Sequence, residues 1–415
     1  MKKILYVTAS CLSKNTSANM SHNGYIEGLL ENSHEVDIIM ANDSWGSTDN
    51  KLKKYAKANY YEFNSVSIAD KLRMRFRGAI KLAVQNSVVG KKSSNEDISI
   101  QSDPRITMNQ RIRKSLKNIF YFLFKPDPIY PMSACWLQNA SKFHSKKEYD
   151  LVISNSSPVA SHKLVSLLIS KNRIKYRKWI QIWEDPWYHD LYGGHSDYIE
   201  KEEHHLLQVG QEIYYVSPLT LRYQQIYFPD CADKMHFIPL PFLKFSQDKV
   251  DIEDSDMSFG YFGDYYSQTR NLIPFYEALK KMNFQGYIYG DTDLDMQNYG
   301  KIKVSGRVTL DVLEKVQDRT SVLVHLCNLR GGQVPGKVYH YSATHKPILF
   351  ILDGTEEEKK IIKDFFEKFN RYYFCDNNKT DIANAMCKIA SAGNINYPIV
   401  DAFKPENVVK TLLNL

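Results

Sequence analysis

The sequence predicts an α/β protein built from two doubly wound, parallel-sheet domains of similar size. Three observations predict it. Residues 3–40 run strand, polar loop, helix, strand, which is how a parallel sheet wound by crossovers opens. A second alternating series of short apolar strands and helical patterns starts at Ser258. Between the two, 243–257 is polar, acidic (Asp248, Asp251, Glu253, Asp254, Asp256) and without period, the composition of an interdomain linker. A length of 415 residues is too great for one ordinary core and fits this division.

Taken in order, the first strand covers 3–8, the polar loop 10–22, a helix 25–31 and a second strand 35–40. Short apolar strands at 151–154, 179–183, 212–216 and 236–238 continue the series, with helices at 161–170 and 200–209. The second series places strands at 258–262, 285–289, 302–305, 321–325 and 348–351. Its helices fall at 272–282, 309–316, 338–343, 356–369 and 381–389. The domains expected are 1–242 and 258–395, joined by the linker. A tail, 396–415, ends in a helix placed to fold back on the first domain.

Composition excludes several classes. With 43% hydrophobic and 24% charged residues the chain is globular, not disordered or fibrous. Its longest apolar runs fall far short of the roughly 20 residues that span a bilayer. Lys2 and Lys3 precede only a four-residue apolar run, Ile4 to Val7, where a secretory segment needs at least about 7. Six scattered cysteines, with no C-x-x-C pair and no zinc-like spacing, suit a reducing, cytoplasmic compartment.

The net charge of +7 is not spread evenly. Residues 68–125 hold 13 Lys or Arg against four Asp or Glu, so this insert carries +9 and the remaining chain −2. It contains KLRMRFR (71–77) and RIRKSLK (111–117), the latter followed by the aromatic run NIFYFLF. Basic residues beside such a run suit an anionic membrane surface, where each contributes about 1 kcal/mol. A solvated helical hairpin is the alternative. No nucleic-acid motif accompanies the charge, and no nucleic-acid partner is expected.

Three elements of the second half carry candidate chemistry. The strand and loop 259–270, FGYFGDYYSQTR, place Gly260 and Gly263 at a strand end and Arg270 just before a helix. Helix-start amides and a guanidinium there favour an anion, most simply a diphosphate. An ordinary glycine turn with a surface arginine is the plain alternative. In RGGQVPGKVYHYSATHKP (330–347), Pro335 and Gly336 shape a loop that leads directly into a helix. Lys337 sits in that helix's first turn, where a lysine opposes the macrodipole unless a bound anion offsets it. Between these lies a turn, Gly306, Arg307, Val308, before a helix capped by Thr309; its backbone edge is able to pair with a nucleobase, or is simply a capped turn.

Together these elements resemble the nucleotide-sugar domain of GT-B glycosyltransferases, specifically the retaining, family-4-like group. The fold the resemblance implies is two Rossmann-like, doubly wound domains facing across a cleft. Gly263 and Arg270 look like that family's diphosphate loop, Gly306 to Val308 like its base-contacting turn, and PGKVYHY like its lysine helix. The first domain's DLVISNSSP with His162, WIQIWEDPW (179–187), YVSP (215–218) and HFIPLP (236–241) are similar to the strand ends of the family's acceptor domain. The chain departs from the pattern too. Two glutamates often stand where this sequence has Gly332 and His340, an arginine where it has Asp264, and a glycine-rich loop where it has 13–22. His340 retains the capacity to hydrogen-bond a ribose hydroxyl.

The resemblance implies a hexosyltransferase with a nucleotide sugar, a UDP-sugar by expectation, as co-substrate and no cofactor. The acceptor implied is a lipid-linked or polysaccharide chain in cell-surface glycan synthesis, reached from the cytoplasm at the inner face of the plasma membrane. Cations and helix amides supply the charge that a leaving diphosphate needs, without a metal. Asp291 and Asp293 spell D-x-D, but follow a strand end and read as a turn. Asp185, at the end of the 179–183 strand, is the candidate to orient the acceptor or stabilise oxocarbenium charge; an Asp-Pro turn is the alternative. His162 is the second catalytic candidate, and Glu184, Tyr188 and His22 are acceptor-side candidates, with a satisfied core histidine as the alternative for each histidine. Two other functions stay open: a nucleotide-sugar epimerase, and a catalytically weak subunit that supports a partner transferase.

Overall fold

Continuous apolar runs form the centres of two parallel sheets. The computed structural model describes residues 1–43, 48, 52, 54–66, 127–190, 195–243, 257–330, 332–393 and 395–414. The basic segment 68–125, with the membrane contact expected of it, and nearly all of the acidic linker lie outside the described residues.

In chain order the first-half strands are β1 (Lys3–Val7), β2 (Glu35–Ala41), β3 (Asn59–Phe63), β4 (Glu148–Tyr149), β5 (Leu151–Asn155), β6 (Lys175–Tyr176), β7 (Trp179–Trp183), β8 (Glu212–Tyr215) and β9 (Met235–Phe237). Seven of them make one sheet in the order β3-β2-β1-β5-β7-β8-β9, and β4 pairs separately with β6. The second sheet uses β10 (Ser258–Phe262), β11 (Gln285–Tyr289), β12 (Ile302–Ser305), β13 (Val322–Leu326), β14 (Ile348–Leu352) and β15 (Tyr372–Asp376). Its order is β12-β11-β10-β13-β14-β15. Every pairing in both sheets is parallel. Strand order reverses between β1 and β5 and again between β10 and β13. Crevices for ligands open at the carboxyl ends of strands at such reversals. All residues of β5, β7, β13 and β14 are buried, as parallel strands covered on both faces must be.

The first polar loop is shorter than the sequence predicts. A helix spans Ser17–Glu31, started by Thr16, whose side chain accepts from the Asn19 amide at 3.2 Å. Its inward residues include Asn19, Ser21, His22 and Asn23 rather than an apolar stripe. Asn19 donates to the carbonyls of Cys11 (2.9 Å) and Lys14 (2.8 Å), and Asn23 to that of Leu12 (3.0 Å), so the buried amides are satisfied by the loop itself. His22 is therefore a helix residue, not a loop residue.

The two halves share a core. One apolar cluster takes in Ile4, Tyr25 and Ile238 from the first half, Val338, Tyr339 and Phe350 from the second, and Phe403 and Val409 from the tail. The terminal helix Pro405–Leu412 lies on the helix Ser17–Glu31 so closely that a β-carbon on Gly28 would fall 2.2 Å from the Pro405 carbonyl oxygen. Asn32 donates to the Glu406 carbonyl at 2.9 Å. Tyr223 donates to Glu358 at 3.0 Å and Arg222 pairs with Glu357, joining the halves on another side.

Candidate active site

The chain after β10 and the chain after β13 meet at the second sheet's reversal. Lys337 opens the short helix Lys337–Tyr341, and its ammonium donates to the Phe262 carbonyl. A β-carbon on Gly263 would come 2.6 Å from Lys337 Nζ, so only glycine lets the amine lie there. Arg270 lines the same small cavity as Lys337, together with Tyr261, His325, Pro335 and Tyr341. Arg270 Nε is buried with no hydrogen-bond partner. Burial first, then the Arg270 guanidinium, brings the Lys337 amine down to about 8. His325 is depressed to about 3 by burial and Arg270, and His340 to about 4 by burial and Lys337, so both rings are neutral near pH 7. His340 Nδ1 is also buried without a partner. The cavity thus holds two cations and unsatisfied donor capacity, which is what an anion would satisfy.

The turn after β12 behaves differently. The Arg307 amide donates to Asp291 Oδ1 at 3.3 Å, and its guanidinium donates to Asp264 Oδ1 at 3.0 Å and pairs with Asp291 Oδ2 at 3.3 Å. Burial opposes ionisation of Asp264, but the Arg307 guanidinium and the Asp291 amide outweigh it and hold the carboxyl below its usual range. The Arg307 guanidinium, largely exposed, is paired with these two carboxylates, beside exposed Gly306 and half-buried Val308. Asp293 accepts from Ser267 N and Oγ, both at 2.7 Å. Both carboxylates of the D-x-D spelling therefore lace loops together.

Gly332 adopts φ +76°, and its carbonyl accepts from Ser217 Oγ and, at 3.2 Å, from Thr220 Oγ1 of the first domain. A β-carbon there would lie 3.0 Å from the Tyr223 ring. A side chain at this position would press on Tyr223 at the interdomain contact, and the positive φ favours glycine. Next to it, Gln333 donates to Asp190 at 3.4 Å, and a β-carbon on Gly336 would sit 3.4 Å from Ser17 Oγ. The lysine helix is thereby seated against the first domain.

On the first-domain side, β7 ends at the half-buried carboxylates Glu184 and Asp185. Burial, then Asp190, pushes Asp185 up to about 7; burial, then Asp185, pushes Glu184 well above its ordinary range. Glu184 Oε1 has no partner. The loop that follows is held by Glu203, which accepts from the amides of Trp187 (3.1 Å) and Tyr188 (2.7 Å) and from Gln224 (2.8 Å). Glu203 escaped the sequence reading. Its signal was there: it shares the buried stripe of the helix Asp197–Val209 with Leu206 and Leu207, three and four residues on.

His22 and His162 lie enclosed within the first half of the chain. Neither has exposed surface. His22 bonds Tyr6 OH (3.0 Å), Thr8 Oγ1 (3.1 Å) and the Ser157 carbonyl (3.2 Å). His162 bonds Ser154 Oγ at 2.7 Å and stacks on Trp183 with centroids 4.3 Å apart. Burial depresses them to about 4 and about 3, so both are neutral rings filling the core beneath the cleft.

The sequence matches no protein-family model and no curated protein. Solved structures resemble it over almost their full length. A glycosyltransferase from Rickettsia africae is 15% identical, with 100% of this chain and 93% of that one covered and a TM-score of 0.51. The Anabaena protein HepE, solved with UDP and glucose, is 12% identical over 99% and 95%, with a TM-score of 0.52. The lipopolysaccharide outer core galactosyltransferase WaaB is 11% identical over 99% of each chain, at 0.50. With two parallel sheets of seven and six strands, this chain has the GT-B fold.

Proposed function

We propose that this chain is a glycosyltransferase of the retaining, family-4-like kind, moving a hexose from a nucleoside-diphosphate sugar to a lipid-linked or polysaccharide acceptor. One observation carries the reading: Arg270 and Lys337 face a single cavity at the second sheet's reversal, and among the described residues no carboxylate forms a salt bridge with either. The cavity itself, about 10 Å³, has room for about one water, so a pyrophosphate would lie at its mouth, where it would accept from both cations, and their charge would grow in value as the leaving group separates. HepE, of the same fold, was solved with UDP, which supports UDP as the nucleotide. His340, neutral and with an open Nδ1, is the candidate contact to the donor's ribose.

Asp185 is the acceptor-side residue in this reading. Its carboxyl is raised to about 7, and it stands at a strand end, in a stretch that Asp190 ties to Gln333 of the other domain. Front-face attack with the leaving phosphate as base requires no protein nucleophile, and the two cations take the part a metal has elsewhere. Membrane attachment through 68–125 would bring a lipid-linked acceptor to the cleft, at the cytoplasmic face. Among the described residues no helix is long and apolar enough to cross a membrane.

The test is thermal stabilisation by UDP-, GDP- and dTDP-sugars, followed by turnover with and without acceptor. Stabilisation by one nucleotide class, lost in Lys337→Ala, is the expected result. Turnover unchanged in that variant would remove the donor assignment. Product formed with no acceptor would make the chain an epimerase, and no nucleotide binding would make it a supporting subunit. Deleting 68–125 should abolish binding to phosphatidylserine vesicles.

A further inference from the structure

A second cluster of chemistry-bearing side chains lies away from the cleft, between the helix Asp197–Val209 and the turn Pro229–Lys234. His204 Nε2 stands 2.8 and 3.0 Å from the two carboxylate oxygens of Asp230. Cys231 Sγ is 3.8 Å from Asp230 Oδ2, and all three ligand-type atoms fall within 4.8 Å of one another. Gln208, one helical turn after His204, brings its amide to 3.3 Å from His204 Nε2 and 3.2 Å from Asp230 Oδ2. The His204 ring is held by stacking on Phe228, with centroids 5.4 Å apart.

As these side chains stand, Gln208 Nε2 and Cys231 Sγ each donate to Asp230 Oδ2 beside the His204 ring, so one carboxylate gathers three donors at a point. Imidazole, thiol and carboxylate are also ligand types that zinc takes, and their three ligand atoms lie within 4.8 Å of one another. A divalent cation among them would replace the donated protons, and the Gln208 amide, turned over, would present its oxygen.

We propose that His204, Asp230 and Cys231 bind one borderline-soft divalent cation, Zn2+, with the Gln208 amide oxygen or a water in fourth place. Ligand bonds of 2.0–2.3 Å set neighbouring ligand atoms of a tetrahedral zinc about 3.3–3.5 Å apart. The nitrogen–oxygen and sulfur–oxygen separations here bracket that figure, and the nitrogen–sulfur distance, within 4.8 Å, closes to it by side-chain rotation of about 1 Å. His204 in the form protonated at Nδ1 offers its Nε2 lone pair and Cys231 its thiolate, so binding releases the thiol proton and, from a charged imidazole, the Nε2 proton as well. Zn2+, thiolate and carboxylate then sum to zero charge, which suits a site with one wall, Cys231, buried.

The site has a structural reach. Glu203, next to His204, holds the amides of Trp187 and Tyr188 on the acceptor side. A metal that fastens this helix to the turn at 229–234 would stiffen that loop without touching substrate.

Cobalt substitution tests it directly. Full-length protein stripped with EDTA and titrated with Co2+ should develop a thiolate-to-cobalt charge-transfer band that saturates at one equivalent and is displaced by Zn2+. Cys231→Ser should lose the band, and His204→Ala should weaken binding by about tenfold or more. Cys387→Ser, at an exposed cysteine elsewhere, should retain both. Circular dichroism establishes that each variant is folded, and His204→Ala decides the matter should Cys231→Ser fail to fold. No band at one equivalent, or a band that persists in either ligand variant, would overturn the proposal and leave an ordinary His204–Asp230 ion pair.

Discussion

The ammonium of Lys337 rests where a side chain on Gly263 would be, 2.6 Å from that residue's missing β-carbon. A glycine at the end of one strand therefore sets the position of a cation that arrives 74 residues later. Because the amine is the far end of a flexible side chain, Gly263→Ala should fold normally and displace Nζ. Losing one charge-assisted contact of about 1.5–3 kcal/mol predicts at least about a tenfold fall in kcat/KM for the nucleotide sugar, with the melting temperature nearly unchanged. Steady-state kinetics and a thermal melt check the two halves.

Arg270 and Lys337 should act on one anion. Arg270→Gln and Lys337→Met should each lower turnover by about 10²–10³, as removal of a transition-state donor does elsewhere. The double variant should lose less than the product of the two. Fully additive losses in the double-mutant cycle would mean that the two cations serve separate ligands.

The pH profile follows from two depressed or elevated groups. Lys337, down to about 8, must keep its proton to hold the diphosphate, so kcat/KM falls as pH rises through 8. Asp185, up to about 7, must lose its proton to accept from an acceptor hydroxyl, so kcat/KM falls as pH drops through 7. A narrow maximum between these limbs is expected. Lys337→Arg should carry the alkaline limb above the measurable range, because a guanidinium stays charged, and Asp185→Asn should erase the acid one.

Stability has its own pH signature. Asp185 binds its proton more tightly in the folded state than its ordinary 3.8, so this carboxyl's contribution is full below about 4 and lost as pH rises towards 7. Asp185→Asn should flatten denaturant midpoints over that window. An unchanged slope would place the carboxyl in water.

Placing at position 332 the glutamate that the resemblance implies should fail. Gly332→Glu combines a left-handed backbone (φ +76°) with a β-carbon 3.0 Å from Tyr223, so it should cost about 1–3 kcal/mol without raising turnover. Urea unfolding measures the first and donor turnover the second.

The buried strands announced themselves: Trp179–Trp183 and Ile348–Leu352 are apolar runs with every residue enclosed. Of the four strands missed, Glu148–Tyr149 and Lys175–Tyr176 are only two residues long, while Asn59–Phe63 and Tyr372–Asp376 close sheet edges, and neither of the latter has a fully buried residue to mark it. The start of the Ser17–Glu31 helix was hidden because its core face is polar and finds its partners in loop carbonyls. At the site, strand-end glycine and first-turn lysine were legible from local pattern. The bond from Arg307 to Asp264 was not, since it joins residues 43 positions apart and neither end carries a local signature.

The last helix belongs to the wrong half by sequence. Pro405–Leu412 follows the second domain along the chain, yet buries Val408, Val409 and Leu412 against the first. Severing the protein at the acidic linker would therefore not release two self-sufficient pieces: the front fragment would expose a greasy flank beside Gly28, and the rear fragment would trail its cover as a sticky orphan.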